Sequence, residues 1–475
     1  MDKIVYLATS IPYVNAEPHI GYALETVQAD ALARFYRLMG YDVRFQIGTD
    51  ENAIKNVESA QRLGLTTQDL VDKNAASFYG LKKILNLSID NFIRTSSEKH
   101  KKGAQKFWQL CRHDIYKKEY RGLYCTGCEA FYAEDEFPDR ICPTHCRKLE
   151  YVSEINYFFA LSRYQSRIIE AIEKNEVLIL PPHRRLEILN FLKEGIEDFS
   201  ISRPKERTKG WGVAVPGDES QRMYVWFDAL LNYLTGLNFG EKNELFQKYW
   251  LDNNNRFVII GKDILKFHAV YWIAMLLSAK LPLQKKIYVH GFINVEGKKM
   301  SKSLGNVVNP YREVEKFGTD AVRYYLLREI PPFEDGDYSR SRMQEIYRAD
   351  LANELGNLVL RLTTIAEQDQ IEIGNQAVNE VIFDQNLAAG FTDFQFNKIL
   401  ETIWCKIKNI NKEVDNFAPW KKNPDKRRNF LEKKLTDINL IGHQLLPFLP
   451  ETAEKIIKAT KGRIKKISPL FPRIV

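Results

Sequence analysis

Apolar segments of strand and helix type alternate over the first fifty residues. Residues 3–9 (KIVYLAT) and 43–47 are short β-branched runs that predict strands, and the apolar positions of residues 22–38 recur at helical spacing. A loop over residues 10–21 precedes the helix, and Gly40 ends it. Strand, loop, helix and strand in this order predict a parallel sheet with ligands at the carboxyl ends of its strands.

The same alternation returns in the second half of the chain. Residues 256–261 (RFVIIG) predict a strand, 263–278 a helix and 286–292 another strand, followed by a polar loop over residues 294–306. Long helical periodicities replace the strand signals from about residue 336. The sequence therefore predicts an α/β domain followed by a helical domain.

A central segment interrupts the α/β pattern. It holds a cysteine cluster, several aromatic residues and short mixed stretches, which predict an insertion within the α/β domain. The predicted organisation is an α/β domain in two halves (1–114 and 226–335), a connective insertion (115–225) with the cysteine cluster at about 120–150, and an α-helical bundle (336–475).

Composition excludes several classes of protein. Of the 475 residues, 44% are hydrophobic and 27% charged, which is ordinary for a globular protein and excludes a disordered chain. An apolar run long enough to span a membrane is missing, and the amino terminus lacks the apolar core of a signal peptide, so we expect a cytoplasmic protein. The net charge of +8 is a mild bias, compatible with a polyanionic partner.

Clustered cysteines predict one structural zinc ion. Cys125-x-x-Cys128 followed by Cys142 has the spacing of a zinc knuckle, and thiols of a cytoplasmic protein are not expected to form disulfides. The fourth ligand is open between His145 and Cys146. We prefer His145, because a two-residue spacer fits a tight knuckle turn better.

Two loops carry residues suited to a phosphate group. His19 lies in the PHIG sequence where the first strand gives way to a helix, and the amino end of a helix attracts phosphate. Residues 299–303 (KMSKS) form a cationic, hydroxyl-rich loop suited to charge developing on pyrophosphate. Each motif alone would more often be a structural or solvated loop; it is their combination that indicates function.

The two motifs together resemble the signature pair of class I aminoacyl-tRNA synthetases. Further segments resemble the methionyl-tRNA synthetase family in order and spacing, from about residue 4 to about residue 425: IPYVNAEPHIGYALE, GTDEN, LYCTGCEAFY, DFSISRP, YVWFDALLNY, IGKDILKFHAVYW and GKKMSKSLGNVV. This resemblance implies a doubly wound, Rossmann-like catalytic domain with a zinc-bearing insertion and a helical anticodon-binding bundle. It also implies formation of methionyl-adenylate from methionine and ATP, followed by transfer to tRNA.

The resemblance also implies functional residues. The catalytic set would be His19, Gly21, Tyr22, Lys299 and Lys302, and ATP would be bound by His19, Gly21, Lys299, Ser301 and Lys302. The methionine site would comprise Ile11, Tyr13, Asp50, Trp226, Ala229, Leu230, Tyr233, Asp263, Ile264, His268, Tyr271 and Trp272. Within it, Asp50 and Asp263 are candidates to hold the amino group, with Arg203 ordering them. Aromatic and aliphatic walls suit a thioether, because sulfur packs well on rings.

In the helical domain the resemblance implies reading of a CAU anticodon. Asn357 and Arg361 lie one helical turn apart, and Trp420 precedes a basic run, an arrangement suited to stacking and reading unpaired bases. The implied partners are tRNA(Met), including the initiator, methionine and ATP. Magnesium is expected with the ATP, and a monomer is expected.

Two positions depart from the family pattern. Tyr22 stands where a second histidine is usual, and Asn52-Ala53 replace His-Gly after GTDE. Three alternative functions are considered: a class I synthetase for another amino acid, a non-catalytic tRNA-binding paralogue, and a zinc-dependent nucleic-acid-binding module. The intact KMSKS argues against the second, and the third leaves most of the α/β chain unexplained.

Overall fold

The computed structural model describes residues 3–125, 130–132, 137–143, 146–241, 244–300, 305–374 and 382–474, without the side chains of residues 130 and 131. Among these residues, no helix is long and apolar enough to cross a membrane.

The chain alternates strands and helices in its first three hundred residues and is mostly helical afterwards. The strands are β1 (Ile4–Thr9), β2 (Asp42–Thr49), β3 (Asn91–Arg94), β4 (Ile115–Cys125), β5 (Ala130–Tyr132), β6 (Glu150–Phe159), β7 (Leu178–Leu180), β8 (Phe199–Ser200), β9 (Ser202–Pro204), β10 (Ala214–Val215), β11 (Asp218–Met223), β12 (Arg256–Gly261), β13 (Lys286–His290), β14 (Ile293–Val295), β15 (Lys298–Lys299), β16 (Gly336–Tyr338), β17 (Glu372–Ile373) and β18 (Gly462–Arg463). The helices are α1 (Ile20–Leu38), α2 (Ile54–Arg62), α3 (Thr67–Ile84), α4 (Glu98–Leu110), α5 (Gln165–Glu173), α6 (Pro182–Lys193), α7 (Val225–Ala229), α8 (Asn232–Thr235), α9 (Glu244–Phe246), α10 (Trp272–Ser278), α11 (Pro310–Phe317), α12 (Thr319–Arg328), α13 (Arg340–Ile346), α14 (Asn357–Gln368), α15 (Gln385–Thr392), α16 (Phe396–Phe417), α17 (Pro424–Leu445) and α18 (Pro450–Ala459).

The structure divides into two compact units. The first unit comprises Met1–Glu17, Asp42–Gly80 and Ile89–Val289. The second unit comprises Pro18–Tyr41, Leu81–Ser88 and His290–Val475.

A six-stranded sheet in the order β3-β2-β1-β12-β13-β7 forms the centre of the first unit. β1 pairs in parallel with both β2 and β12, and β1 is buried almost throughout, as expected for a strand covered on both faces. The chain order reverses between β1 and β12, which is the switch point where doubly wound sheets bind ligands. The predicted α/β fold is confirmed.

The central segment adds antiparallel sheets to the first unit. β4 and β6 pair over ten residues, from Ile115↔Phe159 to Tyr124↔Glu150, within a sheet of order β5-β4-β6-β8. A second sheet has the order β10-β11-β9. This change from parallel to antiparallel pairing explains why the sequence pattern loses its rhythm there.

Amphipathic helices form most of the second unit. Along α16, the buried residues Ile399, Ile403, Ile407, Ile410 and Val414 recur every three or four positions. The helical character predicted for this region is confirmed.

A buried ion pair joins α1 to the other helices of the second unit. Arg323 of α12 lies 2.8 Å from Asp30 of α1, and both side chains are fully buried. The guanidinium also donates to the carbonyls of Phe448 and Pro447, which lie between α17 and α18. Burial of this charge is therefore compensated by an opposite charge and hydrogen bonds.

Two predicted elements differ in detail. The helix expected over residues 263–278 begins with a 3₁₀ turn (Lys262–Ile264), passes through a π-helical turn (Phe267–Tyr271) and becomes regular only in α10. The ring of His268 is hydrogen-bonded to the Ile264 carbonyl, which a regular helix would give to a backbone N–H.

The loop expected over residues 294–306 begins as a hairpin. β14 and β15 pair antiparallel, Asn294 with Lys299 and Val295 with Lys298. Glu296 and Gly297 connect them with φ angles of +50° and +72°, the left-handed conformation that a tight hairpin turn requires.

Candidate functional site

The loops after β1 and β2 bring three candidate methionine-binding residues together. Tyr13 and Asp50 form a parallel bridge, and the Asp50 N–H donates to the Pro12 carbonyl at 2.8 Å. Ile11 lies beside Gly48, where an added Cβ would come within 3.1 Å of the Ile11 side chain. Asp50 is 3% exposed, so its carboxylate can be compensated only by polar groups within this site.

Aromatic side chains form a second wall of this region. Trp226 of α7 stacks on Phe267 with ring centroids 3.8 Å apart and an interplanar angle of 1°. Tyr271 stacks on Phe199 at 4.2 Å. Ala229 and Leu230, which follow Trp226, are buried. These flat surfaces suit an unbranched thioether.

A neutral histidine, His268, lies in the same π-helical turn as Phe267 and Tyr271. The Ile264 carbonyl lies 2.9 Å from Nδ1 of His268 and accepts its proton, so Nε2 accepts from the Tyr233 hydroxyl at 2.8 Å. Burial lowers the pKa of His268 from 6.5 to about 4. Tyr233 and Trp272 are also buried. This part of the site is therefore uncharged and polarizable.

Acid should weaken the fold through His268. In the unfolded chain His268 is protonated below about pH 6.5, whereas in the folded chain it is protonated only near its lowered pKa of about 4. The contribution of neutral His268 to the free energy of unfolding is therefore complete above pH 6.5 and is lost as the pH falls. We expect about 2 kcal/mol of loss at about pH 5 from this group. Thermal unfolding at about pH 8 and pH 5 should show a smaller drop in Tm for His268→Gln than for the wild type; equal drops would contradict the assignment.

An asparagine joins the Asp50 loop to the Trp226 helix. The side-chain amide of Asn52 donates to Asp228 Oδ2 at 2.7 Å and to the Thr95 carbonyl at 3.1 Å. Its backbone N–H donates to Asp50 Oδ1 at 3.3 Å. Asn52 and Asp228 are both buried, at 9% and 0% exposure. At the position where the family usually has histidine, the uncharged Asn52 amide thus donates two hydrogen bonds from one nitrogen.

A neighbouring glutamate anchors the same loop. Glu51 is fully buried and accepts two bonds from Arg94, at 2.7 and 2.9 Å. Its carbonyl accepts from the Trp211 indole at 2.7 Å. Sequence reasoning missed both this anchor and the Asn52–Asp228 bond, because their partners are distant in the chain.

Arg203 and Asp263 have different surroundings. Arg203 is buried, donates to the Ser200 hydroxyl at 2.9 Å and to the Ser202 carbonyl at 2.7 Å, and lies 4.2 Å over the Tyr224 ring. Asp263 is exposed in the 3₁₀ turn after β12. Their assigned roles stay predictions.

The residues predicted to bind the phosphates of ATP lie in the second unit, where the His19 side chain caps α1. Its Nδ1 accepts from the Gly21 N–H at 3.1 Å, so the neutral ring carries its proton on Nε2. A Cβ on Gly21 would lie 2.9 Å from the His19 ring, which explains the need for glycine. The Ile20 N–H donates to the Val308 carbonyl at 2.9 Å. The N–H groups in the first turn of α1, which were expected to bind phosphate, are therefore already hydrogen-bonded within the protein. The imidazole of His19 is the group suited to contact phosphate instead.

The second signature approaches the first within this unit. Lys299 is exposed on β15, and its carbonyl accepts from the Asn306 amide at 3.2 Å. The methyl of Met300 lies 3.8 Å from where a Cβ on Gly21 would stand. Ser301 and Lys302 lie outside the described residues.

A buried pair of His290 and Glu25 was not predicted. His290 Nε2 lies 2.9 Å from Glu25 of α1, and Nδ1 lies 2.8 Å from the Gly291 carbonyl. Both ring nitrogens thus face oxygen atoms. His290 and Glu25 both belong to the second unit.

The candidate anticodon residues also lie in the second unit. The Arg361 guanidinium lies 5.0 Å over the Trp420 ring and donates to Asp415 at 2.6 Å. Trp420 is 48% exposed, although large aromatic side chains are normally buried. Asn357 is exposed at the start of α14, one turn before Arg361. The structure thus brings Arg361 and Trp420 into direct contact.

The described part of the predicted zinc knuckle is a small apolar cluster. Cys125 and Cys142 are buried together with Leu123 and Leu149. Cys146 is exposed, with φ of +51°, and its N–H donates to the Cys142 carbonyl at 2.8 Å. Cys128 and His145 lie outside the described residues. Two buried thiols in one cluster fit two of the four ligands of a structural zinc ion.

Comparison with known proteins identifies the family. The chain matches the family described as tRNA synthetases class I (M) over residues 5–155 and 145–363. It is 41% identical over 472 residues to the methionine--tRNA ligase of Brucella suis biovar 1, covering 95% of this chain and 90% of the relative. It is 40% identical to that of Clostridium acetobutylicum, covering 96% of this chain and 73% of the relative.

Solved structures agree with this match. Mycobacterium tuberculosis methionyl-tRNA synthetase in complex with methionyl-adenylate superposes with a TM-score of 0.91 at 34% identity, covering 100% of both chains. The apo form of that enzyme gives a TM-score of 0.84 at 32% identity, covering 100% of this chain and 98% of the other. The chain therefore belongs to the class I tRNA synthetases, in the methionine--tRNA ligase family.

Proposed function

We propose that this chain is a methionine--tRNA ligase. It joins methionine to ATP as methionyl-adenylate, with release of pyrophosphate, and transfers the methionyl group to the 3′ end of tRNA(Met), for initiation and elongation. The observation that carries the proposal is the cluster of aromatic side chains around Tyr233 and the neutral His268, in a chain 41% identical to a methionine--tRNA ligase over 95% of its length.

The aromatic cluster suits the side chain of methionine because its rings are uncharged. His268 is neutral above a pKa of about 4, so it offers no cation to an acidic side chain. Trp226 and Tyr271 offer ring faces to the thioether, and Asp50 offers a carboxylate to the ammonium group. Asp263 is the second candidate for that carboxylate, and Arg203 is proposed to order the pair.

Adenylate formation needs no nucleophile from the protein. The methionine carboxylate attacks the α-phosphate of ATP, and charge moves onto pyrophosphate. His19, through its Nε2–H, and the two signature lysines, Lys299 and Lys302, are proposed to stabilise this charge, with Gly21 and Ser301 next to them. Magnesium is proposed to accompany the triphosphate.

The helical bundle is proposed to select the tRNA. The exposed ring of Trp420 offers a stacking surface for a base, and Arg361 and Asn357 offer polar groups that read base edges. The monomeric state and the cytoplasmic location stay predictions.

Amino-acid-dependent exchange between ATP and pyrophosphate tests the proposal. Methionine alone among the twenty standard amino acids should support rapid exchange, in the absence of tRNA. Exchange with another amino acid would indicate a synthetase of different specificity. Absence of exchange in a folded preparation would indicate a non-catalytic tRNA-binding paralogue.

A structural zinc ion is proposed for the insertion. Cys125, Cys128, Cys142 and His145 would hold it in a closed tetrahedral site, with Cys146 as the alternative fourth ligand. The burial of Cys125 and Cys142 and the exposure of Cys146 support the choice of His145. The ion would supply stability to the insertion and no chemistry to the reaction.

Metal analysis of two variants tests the fourth ligand. Cys146→Ser should retain one zinc ion per chain, because its exposed thiol is not needed. His145→Ala should lose the ion or bind it weakly. A zinc-free Cys146→Ser protein that retains its fold would show that the ligand choice is wrong.

Replacing Tyr22 by histidine tests whether the site has adapted to tyrosine at this position of the family signature. Its side chain is 6% exposed, so Tyr22→His would leave unfilled space and bury a ring of different polarity beside His19. We expect adenylate formation to slow by roughly tenfold or more through misplacement of the signature. Tyr22→Phe, which keeps the shape, is the control. A rate for Tyr22→His equal to or above the wild type would mean that the site still accommodates histidine.

A further inference from the structure

The turn that carries Trp420 is a strained segment of the second unit. It begins at Ala418, whose φ of +50° and ψ of +64° lie in the left-handed region that a side chain with a Cβ disfavours. Pro419–Lys421 then form a 3₁₀ turn, and the Lys422 N–H donates to the Pro419 carbonyl at 3.1 Å. A residue other than glycine keeps such a backbone only where surrounding contacts hold it. The Trp420 ring is therefore presented by a turn that needs support from neighbouring elements.

Arg427 of α17 provides this support. Its Nη1 donates to the carbonyls of Pro419 and Lys422, at 3.0 and 3.2 Å. The Pro419 carbonyl belongs to the peptide bond directly before Trp420, and the Lys422 carbonyl follows the 3₁₀ turn. One nitrogen thus joins the beginning of the turn to its end, with Trp420 between them.

The other two nitrogens of the same guanidinium bind Asp369. Nε and Nη2 donate to the two carboxylate oxygens, both at 2.6 Å, and the side chains of Arg427 and Asp369 are 12% and 2% exposed. A bidentate pair of this kind fixes the orientation of the guanidinium plane as well as its position. Asp369 directly follows α14, and its N–H donates to the Ile365 carbonyl of that helix at 3.1 Å.

The pair of Arg427 and Asp369 therefore joins the Trp420 turn to the helix that carries the other candidate anticodon residues. Asn357 begins α14, and Arg361 lies one turn later on the same helix. The contact of the Arg361 guanidinium with the Trp420 ring, at 5.0 Å, requires the helix and the turn to keep one relative position. Arg427 reaches both from a third element, α17.

Arg427 differs from the exposed lysines around it. Lys421, Lys422 and Lys426 are exposed, as expected for side chains that attract phosphates by charge. The charge of Arg427 is instead opposed by a buried carboxylate, and each of its three nitrogens donates to a protein oxygen. Its contribution to RNA binding should therefore be geometric rather than electrostatic.

We propose that Arg427 is a positioning residue for tRNA selection, which holds the Trp420 ring in place beside Arg361 and Asn357. This inference rests on the proposed function, in which these three side chains contact bases of the anticodon. Without the guanidinium, the turn would be ordered only when tRNA binds, and the ordering would weaken every stacked complex.

Arg427→Lys tests the proposal with the charge retained. A lysine can face Asp369 or the carbonyls of the turn, but a single ammonium cannot replace the fork that binds both. We expect kcat/KM for aminoacylation of tRNA(Met) to fall roughly tenfold through misplacement of the ring. Pyrophosphate exchange and the salt dependence of tRNA binding should be unchanged. Arg428→Lys is the matched control, since Arg428 is the next residue of α17 with a side chain 47% exposed, and it should lose less than about twofold.

A double-mutant cycle with Trp420→Ala separates positioning from stability. If Arg427 acts through Trp420, adding Arg427→Lys to Trp420→Ala should lower kcat/KM by less than about twofold further. A role in the stability of the bundle alone would give the same loss with or without the ring. Asp369→Asn keeps the side-chain shape but removes the charge that holds Arg427. It is measured in the same cycle and should show the same dependence on Trp420.

A loss that persists in full without the Trp420 ring would overturn the proposal. Aminoacylation at the wild-type level by both Arg427→Lys and Asp369→Asn would overturn it too. Loss of pyrophosphate exchange together with aminoacylation in both variants would assign the pair to folding, again against the proposal. Failure of the proposed function would appear separately, in proteins with Arg427 intact, as missing methionine-dependent exchange or as full aminoacylation by Trp420→Ala.

Discussion

Replacing Lys302 by alanine should lower kcat for adenylate formation by roughly 100–1000-fold, with little change in the KM for methionine. Removing one preorganised donor to a developing oxyanion costs about 3–4 kcal/mol. The donor acts where pyrophosphate forms, so the loss should fall on the transition state. Lys302 itself lies outside the described residues, but Met300, two residues before it, lies close to the position of Gly21. Pyrophosphate exchange over a range of methionine concentrations separates kcat from KM.

Lys298→Ala is the matched control for this prediction. Lys298 is an exposed lysine of β15, one position before the KMSKS sequence and paired with Val295. It should lose less than about twofold, because surface charge at that position is screened. A large rise in KM with normal kcat for Lys302→Ala would assign the lysine to uniform substrate binding instead.

Replacing Trp420 by alanine should lower kcat/KM for tRNA aminoacylation by roughly 10–100-fold, because one base stacked on an aromatic ring contributes about 1–3 kcal/mol. Pyrophosphate exchange should be unchanged, since adenylate formation needs no tRNA. The ring is 48% exposed and carries Arg361 at 5.0 Å, so it is available to a base without unfolding the bundle. Both reactions are measured at one fixed salt concentration, because phosphate contacts are salt-dependent.

Trp404 provides the contrasting control. It is 3% exposed and packs 4.4 Å from the Tyr324 ring, so Trp404→Ala should lower stability through the core. If Trp420→Ala also lost stability and exchange together, its role would be structural. If Trp420→Ala changed neither activity, the anticodon would be read elsewhere. Arg361→Ala should additionally relax selectivity among altered anticodons.

Local patterns predicted the parallel sheet well, because strands buried on both faces are continuous apolar runs. β1 and β2 fall within two residues of the predicted runs, and α1 begins two residues earlier than predicted because His19 caps it. The π-helical turn at Phe267–Tyr271 could not be predicted, because it depends on the contact between the His268 ring and the Ile264 carbonyl.

The candidate site was predicted mainly through family resemblance, and its supporting contacts were not. Asn52 and Asp228 are 176 positions apart, so no local spacing indicates that their side chains bond. The stacking of Trp226 on Phe267 and the pairing of His290 with Glu25 also depend on tertiary structure. Sequence patterns give residue types, but pairing across elements depends on how the elements pack.

The most direct test of the proposed function is to identify both the tRNA and the amino acid that the protein joins in one aminoacylation reaction. Total tRNA is incubated with the protein, ATP, magnesium and all twenty amino acids, and the charged tRNAs are then sequenced and their amino acids identified. Methionine should be attached to tRNAs with a CAU anticodon and to no others. Another amino acid on the tRNA, methionine on tRNAs of other anticodons, or no charged tRNA from a folded protein would contradict the proposed function.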